Sequence, residues 1–234
     1  MAGFTDKFSV RVKKERQKIK EIKGIKAKAS YIWDYYKIPI VGTIIGIIAV
    51  ISLVRSIRAN NYNTSLYVCY VNCISMDLKD NTKLLDSMLT NWLGIDGKDN
   101  RVNVDGYYQI DPDTYSEETY ISSQKLNVLI VARNSDCYLG DDIFTKTWAD
   151  AGYLLDLEEA LPLELLEKVR DRLVYYTDGE TGEERAVGVD LSDLPFITDV
   201  LVFGSTKQPI FSIVSNAPHL GNCITMLEHI IDYK

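Results

Sequence analysis

The chain has 234 residues, 46% of them hydrophobic, and a formal net charge of −7. This charge is unevenly divided: residues 1–37 hold 11 Lys and Arg against 4 Asp and Glu, and the remainder holds 15 against 29. After the first 60 residues about 170 remain, a size that suits one domain and excludes several. A basic segment is therefore joined to an acidic domain, and the two are expected to face different surroundings.

The basic segment, residues 1–37, is densest in Lys and Arg at residues 11–20. Such a tract can bind nucleic acid, but it directly precedes an apolar run and belongs to no folded nucleic-acid-binding domain. We therefore expect no nucleic acid as a partner. Attraction to anionic lipid headgroups explains it better, and the alternative is that these lysines only fix orientation. The segment is expected to be partly helical and to lie on the inner leaflet, or to be solvated. Apolar residues recur in it at helical spacing: Phe8, Val12, Ile19 and Ile22.

Residues 38–54 are 17 uncharged residues, mostly Ile, Val, Leu and Ala, which cover about 26 Å as a helix. The run predicts a transmembrane helix, and Pro39 in its first turn is expected to mark the helix start. The flanking residues suit the two membrane interfaces. They are Tyr31, Trp33, Tyr35, Tyr36, Lys37 and Arg55.

The orientation of this span follows from its flanks, because 11 basic residues precede it and only Arg55 and Arg58 follow closely. The N-terminus is expected to be cytoplasmic and the C-terminal domain extracytoplasmic, at the cell membrane. A cleaved signal peptide is disfavoured because 37 residues come first and no small-residue cleavage site follows. A buried helix of a soluble protein would leave the aromatic and basic flanks unexplained.

Small residues line one face of the predicted span. Gly42 and Gly46 form a small-xxx-small step that Ala49 extends on nearly the same face. Such a face lets two helices approach closely, so the chain is expected to be able to form a homodimer through it. Gly is common in membrane helices, and the alternative is that this face has no partner.

Residues 55–64 are predicted to be a linker, and residues 65–234 one domain. Strands are predicted at 65–73, 101–110, 124–133 and 209–215, the third from the continuous apolar run LNVLIVA. Helices are predicted at 76–93, 143–151, 163–172 and 223–231. Strands that alternate with helices predict an α/β fold with a mixed or parallel central sheet.

Several stretches are similar, in amino-acid sequence and in order along the chain, to segments of a known protein family. They are LNVLIVARNSDCYLGDDIFTKTWADAGYLLDLEEALP, then LPLELLEKVRD and AVGVDLSD, and finally SIVSNAPHLGNCITMLEHII. In these the domain resembles one lobe of the type II extracytoplasmic solute-binding proteins. The resemblance implies a ligand-binding or sensing module, with a single lobe in place of the usual two. The segment YIWDYYKIPIVG also resembles the corresponding segment of small Gram-positive bacterial membrane proteins.

Motifs for catalysis and metal binding were sought in the sequence. The chain has two histidines, His219 and His229, and contains no G-x-S-x-G, H-E-x-x-H, C-x-x-C or Walker-type loop. His219 and Cys223 stand four apart, but no second pair accompanies them, and structural zinc takes four ligands. We therefore expect no enzyme, no metal and no cofactor.

Four cysteines lie in the domain predicted to be outside, where disulfides persist. Cys69 and Cys73 share a predicted strand and would be about 13 Å apart, too far to bond. Cys137 is the more reachable partner for one of them. We nevertheless expect all four, including Cys223, to be buried free thiols, and a bridge through Cys137 is the alternative.

Ligands of α/β sheets bind beyond the carboxyl ends of the strands. If LNVLIVA is a strand, the loop after it places Asn134, Ser135 and Asp136 there, and these are the predicted ligand-binding residues. Ser75 and Asp77, after the first strand, are a second candidate pair, although helix capping explains them equally well. The expected function is ligand binding or sensing, and the alternative is an accessory subunit of a membrane complex with other membrane proteins as partners and no small ligand.

Overall fold

The computed structural model describes residues 17, 20–22, 24–75, 82–111, 116–204 and 207–234. Within it the chain forms two compact units, Met1–Asn61 and Tyr62–Lys234, which are described separately. Four residues named in the sequence-based expectations lie outside the described residues: Phe8, Val12, Ile19 and Asp77.

In the described part of the first unit, one long helix, α1, spans Ile25–Asn60. Its segment Lys37–Arg58, 22 residues, is long and apolar enough to cross a membrane, and it is the one such segment in the described residues. None of that segment is buried by protein, and side chains such as Ile45, Ile48 and Leu53 are about 60% exposed. A helix with an apolar surface all round requires an apolar surrounding to be stable.

The ends of α1 differ from the sequence-based expectation. Pro39 lies inside the helix and does not mark its start, because helical structure already begins at Ile25. The hydroxyl of Thr43 donates a hydrogen bond of 2.8 Å to the Pro39 carbonyl, one turn earlier. The helix also continues to Asn60 and the next strand begins at Asn63, so the connection is much shorter than the predicted linker at 55–64.

The second unit contains eight strands and seven α-helices in its described part. The strands are β1 (Asn63–Val71), β2 (Cys73–Ser75), β3 (Asn100–Tyr108), β4 (Cys137–Gly140), β5 (Leu173–Thr177), β6 (Glu184–Asp190), β7 (Leu201–Phe203) and β8 (Ile210–Ile213). The helices are α2 (Lys83–Trp92), α3 (Glu117–Val131), α4 (Asp142–Asp150), α5 (Leu157–Ala160), α6 (Leu163–Val169), α7 (Pro195–Val200) and α8 (Leu220–Ile231). A single 3-10 turn, Arg170–Arg172, follows α6.

Six strands form a mixed sheet in the order β3-β1-β4-β8-β6-β5, which confirms the predicted α/β class. β1 pairs in parallel with both β3 and β4, and the pairs from β4 to β5 are antiparallel. The chain leaves β1 through α2 to β3 on one side, then returns through α3 to β4 on the other side. Since such crossovers are right-handed, α2 and α3 must cover opposite faces of the sheet.

Alternating side chains of β1 separate two hydrophobic cores. Val68 and Tyr70 face a core with α2, α6 and α8, whereas Cys69 and Val71 face a core with α3 and α4. A small antiparallel pair, β2 with β7, stands apart from the main sheet. The domain is thus a three-layer α/β/α arrangement with helices on both faces.

The apolar run LNVLIVA is helical, and its prediction as a strand was wrong. It forms the second half of α3, which begins where the Ser116 hydroxyl accepts a hydrogen bond of 3.1 Å from the backbone N–H of Thr119. Leu126 and Ile130 are buried, one turn apart, whereas Val128 and Val131 are 64% and 76% exposed. A covered strand would bury all of these residues, so the run reads as a strand only because both faces of the helix are apolar.

The four cysteines are free and buried. This confirms the expectation of buried free thiols, and the alternative, a bond from Cys137 to Cys69 or Cys73, does not form. Cys69 and Cys137 point to opposite faces of the sheet, because they belong to different cores. The Cys73 thiol lies 3.8 Å from the Leu139 carbonyl, while the Cys137 thiol contacts Cys223 in α8.

Candidate functional site

The predicted ligand-binding residues Asn134, Ser135 and Asp136 lie between the end of α3 and the start of β4. They are therefore at the amino ends of the parallel strands and not at the carboxyl ends, because the run before them is a helix. Ser135 is buried, and its hydroxyl accepts a hydrogen bond of 3.1 Å from the Tyr138 hydroxyl. Ser135 thus supports the fold, and Asn134 and Asp136 remain as candidates.

The turn that carries Asn134 is a tight helix end. The N–H of Arg133 donates to the Ile130 carbonyl at 2.9 Å, and the N–H of Asn134 donates to the Leu129 carbonyl at 2.8 Å. This hydrogen-bond pattern requires a left-handed backbone conformation at the residue that follows the helix end, a position that glycine usually occupies. Here that residue is Arg133, which has φ 55°. A residue with a side chain in that conformation costs on the order of 1–3 kcal/mol.

Asp136 is a fully buried carboxylate that joins three parts of the domain. It accepts hydrogen bonds from the backbone N–H of Tyr67 at 2.7 Å and from the backbone N–H of His219 at 2.8 Å. Ring Nδ1 of His219 lies 3.0 Å from its Oδ2. A carboxylate only accepts, so Nδ1 of His219 carries the hydrogen and Nε2 is left for another partner.

These residues line a pocket of about 250 Å³. Its other walls include the apolar side chains of Leu129 and Pro218, with hydroxyl and amide groups from the two neighbouring strands. The lining residues are Thr64, Tyr67, Asn103, Leu129, Arg133, Asn134, Asp136, Pro218 and His219. We call this the amino-edge pocket.

Three polar groups at the amino-edge pocket have no partner in the described part of the chain. They are the guanidinium of Arg133, the side-chain amide of Asn134 and Nε2 of His219, whose side chain is 32% exposed. The ring of His219 is nevertheless fixed, because buried Asp136 holds its other nitrogen. The pocket therefore presents one cation, one amide and one oriented imidazole to a ligand.

The remaining polar groups of the pocket are engaged elsewhere. The Tyr67 hydroxyl donates to Oδ2 of Asp105 at 3.0 Å, and the Asn103 amide donates to the Thr64 hydroxyl at 2.9 Å. Asp105 also accepts from the Tyr108 hydroxyl at 2.6 Å and from Lys125 at 2.9 Å. Burial would raise the pKa of Asp105, but these hydrogen bonds outweigh burial and hold that pKa below its ordinary value.

The opposite edge of the sheet contains a larger cleft of about 790 Å³. Asn72, with φ 57°, ends β1 there, and its amide donates to the carbonyl of Ile110 at 2.8 Å and to Oδ1 of Asp141 at 2.9 Å. Buried Asp141 caps α4 and pairs with Lys207 at 2.9 Å. Asn72, Asp141 and Lys207 are thus linked to one another at this edge. Ser75, the other candidate at this edge, lies in β2.

Sequence reasoning missed Arg133 and His219. The sequence gives only a weak indication for Arg133: a helix that ends in Arg-Asn, with no glycine, has a strained C-terminal turn. That indication could not be used, because the helix was predicted to be a strand. His219 had been considered only as a metal ligand with Cys223. Its partner Asp136 is 83 residues away in the chain, and no local pattern reports such a contact.

Comparison with known protein families, with curated proteins and with solved structures gives no match to this chain. The resemblance to a lobe of the solute-binding proteins therefore stays an expectation.

Proposed function

We propose that this protein is a single-pass membrane protein whose α/β domain, outside the cell membrane, binds a small polar ligand in the amino-edge pocket. The observation that carries the proposal is the convergence of Arg133, Asn134 and His219, three groups without partners on one small pocket. Arg133 and Asn134 are exposed and His219 is half-buried, so all three groups are accessible from solvent at this pocket. A few convergent polar groups beside apolar walls are typical of a small-molecule site.

The membrane part of the proposal is supported by the apolar, unburied surface of Lys37–Arg58 and by the charge on either side of it. The 11 basic residues that precede the span favour a cytoplasmic N-terminus. A protease added to intact cells should then digest the C-terminal domain. Protection of that domain would contradict the topology, and permeabilised cells provide the control.

Binding without catalysis is favoured by the surroundings of His219. The two hydroxyls that line the pocket hydrogen-bond to other residues, Tyr67 to Asp105 and Thr64 to Asn103. An imidazole that acts as a base in acyl transfer needs a nucleophile within hydrogen-bond reach. In the described residues no hydrogen bond joins Nε2 of His219 to such a group, which favours a role of the fixed ring as a ligand contact.

A thermal-shift screen of the full chain in detergent, with sugars, peptides, small acids and metals, tests ligand binding. At least one compound should raise the melting temperature of the wild type and leave that of Asn134→Ala unchanged. Asn91→Ala, at an exposed position on α2, is the matched control and should respond like the wild type. A flat response of the wild type to every compound would count against the proposal.

The alternative function is an accessory subunit of a membrane complex with no small ligand. The outward face of α3 favours it, because Tyr120, Ile121, Val128 and Val131 are all more than half exposed and lie on one side of the helix. A photo-crosslinker placed at Gln124, on the same face, should then give one discrete adduct in native membranes. That adduct should disappear with Val128→Asp, and a solitary monomer would contradict this alternative.

The small-residue face of α1 bears on the same alternative. No atom lies within 4 Å of a Cβ built on Gly42 or Gly46, so this face is open for a second helix, together with Ala49. Gly46→Leu should abolish dimer crosslinks in membranes if two copies pair there. Unchanged crosslinking would place the homodimer contact elsewhere.

A further inference from the structure

The charge of the amino-edge pocket is opposite to that of the domain that carries it. The chain after Lys37 holds 29 acidic against 15 basic residues, yet the unpartnered charge at this pocket is the guanidinium of Arg133. The one acidic side chain in the lining is Asp136, which is fully buried and already receives three hydrogen-bond donors. The pocket therefore offers a free cation with no free anion beside it.

The backbone of Arg133 and the ring of His219 are fixed by hydrogen bonds, and the exposed Arg133 side chain extends from this fixed point. Arg133 is held at the closed end of α3 by hydrogen bonds on both sides of it in the chain. His219 is fixed through Nδ1, and its backbone N–H is bonded to the same carboxylate. A guanidinium is a planar fork of donors that matches a carboxylate or phosphate, and an imidazole adds a further polar contact.

The size of the pocket limits the ligand. Its volume of about 250 Å³ lies just below the range of roughly 300–1,000 Å³ that is usual for small-molecule pockets. Leu129 and Pro218 supply apolar wall, and the Asn134 amide both donates and accepts. These walls suit a compact molecule with one charged end and a short body.

We propose that the ligand carries an oxyanion, a carboxylate or a phosphate, bound by Arg133 with His219 beside it. This inference rests on the proposed function, because it names the chemical class of the ligand for the same pocket. Asn134 contacts the body of the molecule, and Asp136 acts as a positioning residue that orients His219.

The test compares soluble oxyanions with neutral isosteres on the full chain in detergent. Acetate, succinate and inorganic phosphate are titrated by calorimetry beside acetamide, succinamide and glycerol. We expect binding of one or more of the anions and not of the amides. Arg133→Gln should weaken that binding about tenfold to a hundredfold, which is the loss expected for a charged hydrogen bond. Arg133→Lys should recover part of it.

The control variant is Arg170→Gln, because Arg170 is exposed and pairs with Glu167 away from the pocket. It should bind like the wild type. If amides bind as well as the acids, or if Arg133→Gln binds like the wild type, the oxyanion assignment is overturned while ligand binding stands. If no compound in this titration or in the wider screen binds, both proposals fall.

The oxyanion has two sources, a free metabolite or a lipid headgroup, and a second arm separates them. The full chain is placed in nanodiscs of phosphatidylcholine alone or of phosphatidylcholine with phosphatidylglycerol. Stabilisation by soluble anions in both lipids indicates a free ligand. Stabilisation by phosphatidylglycerol alone, lost in Arg133→Gln and kept in Arg170→Gln, indicates a headgroup. An effect of phosphatidylglycerol that both variants keep would exclude the pocket as its cause.

Discussion

The carboxylate of Asp136 accepts a hydrogen bond from the backbone of His219 and also holds the ring of that residue, although the two lie 83 positions apart in the chain. The same carboxylate accepts from the N–H of Tyr67 in β1. One buried side chain thus fixes the edge of the sheet, the start of α8 and the only histidine of the pocket. Stability and the proposed binding site share this group.

Replacement of Asp136 by asparagine should be strongly destabilising. The asparagine amide has one oxygen that can accept, and its N–H₂ group would face N–H donors of Tyr67 or His219. At least one of these buried donors would therefore be left without an acceptor. We expect a loss of about 3 kcal/mol in the free energy of unfolding, measured by urea titration of the full chain in detergent. Asp142→Asn, at an exposed position in the first turn of α4, should lose less than about 1 kcal/mol. Equal losses in the two variants would show that the Asp136 contacts contribute little.

Arg133→Gly should stabilise the fold and remove ligand binding. Glycine adopts the left-handed conformation without strain, so we expect a gain of about 1 kcal/mol in the same urea titration. Ala132→Gly is the matched control, because Ala132 has φ −76° and glycine there should cost about 0.5–1 kcal/mol. A loss of stability in Arg133→Gly would mean that the arginine side chain serves the fold.

The sequence predicted elements whose patterns are local, and it failed where tertiary contacts decide. The strand β1, the helix α4 and the helix α8 were predicted near their observed bounds, because β-branched runs and helical spacing are local properties. The prediction for LNVLIVA failed because this helix has apolar residues on its exposed face as well as on its buried face, so the sequence shows no helical periodicity of hydrophobic residues. Two of the three predicted ligand-binding residues, Asn134 and Asp136, line the amino-edge pocket, but they lie at the amino ends of the strands and the prediction had placed them at the carboxyl ends.

The Asp105 cluster should make stability depend on pH. The pKa of Asp105 is lower in the folded chain than its ordinary value, so its contribution is complete above the pKa of the unfolded chain, about 4, and is lost as pH falls through the folded pKa. Asp105→Asn should therefore be clearly less stable than the wild type at neutral pH. The difference should shrink below about pH 4. Thermal melts of both proteins across this range measure it, and a difference that stays constant with pH would contradict the charged role.

The cysteines should be unreactive in the folded protein. Burial raises the pKa of the Cys69, Cys73 and Cys137 thiols, and the thiolate is the form that reacts. Iodoacetamide at neutral pH should label none of the four buried thiols before unfolding. After denaturation without reductant, mass spectrometry should find all four labelled. Two labels would instead indicate a disulfide, and the contact between Cys137 and Cys223 makes that pair the first to examine.

The central claim is that the amino-edge pocket binds a small molecule, and native mass spectrometry of the full chain released from detergent tests it most directly. With the compound that raises the melting temperature present, the wild type and Arg170→Gln should each carry one added ligand mass on the 26.5 kDa chain. Arg133→Gln and Asn134→Ala should lose that added mass under the same conditions. An adduct that both pocket variants keep, or a wild type that never carries one, would contradict the account.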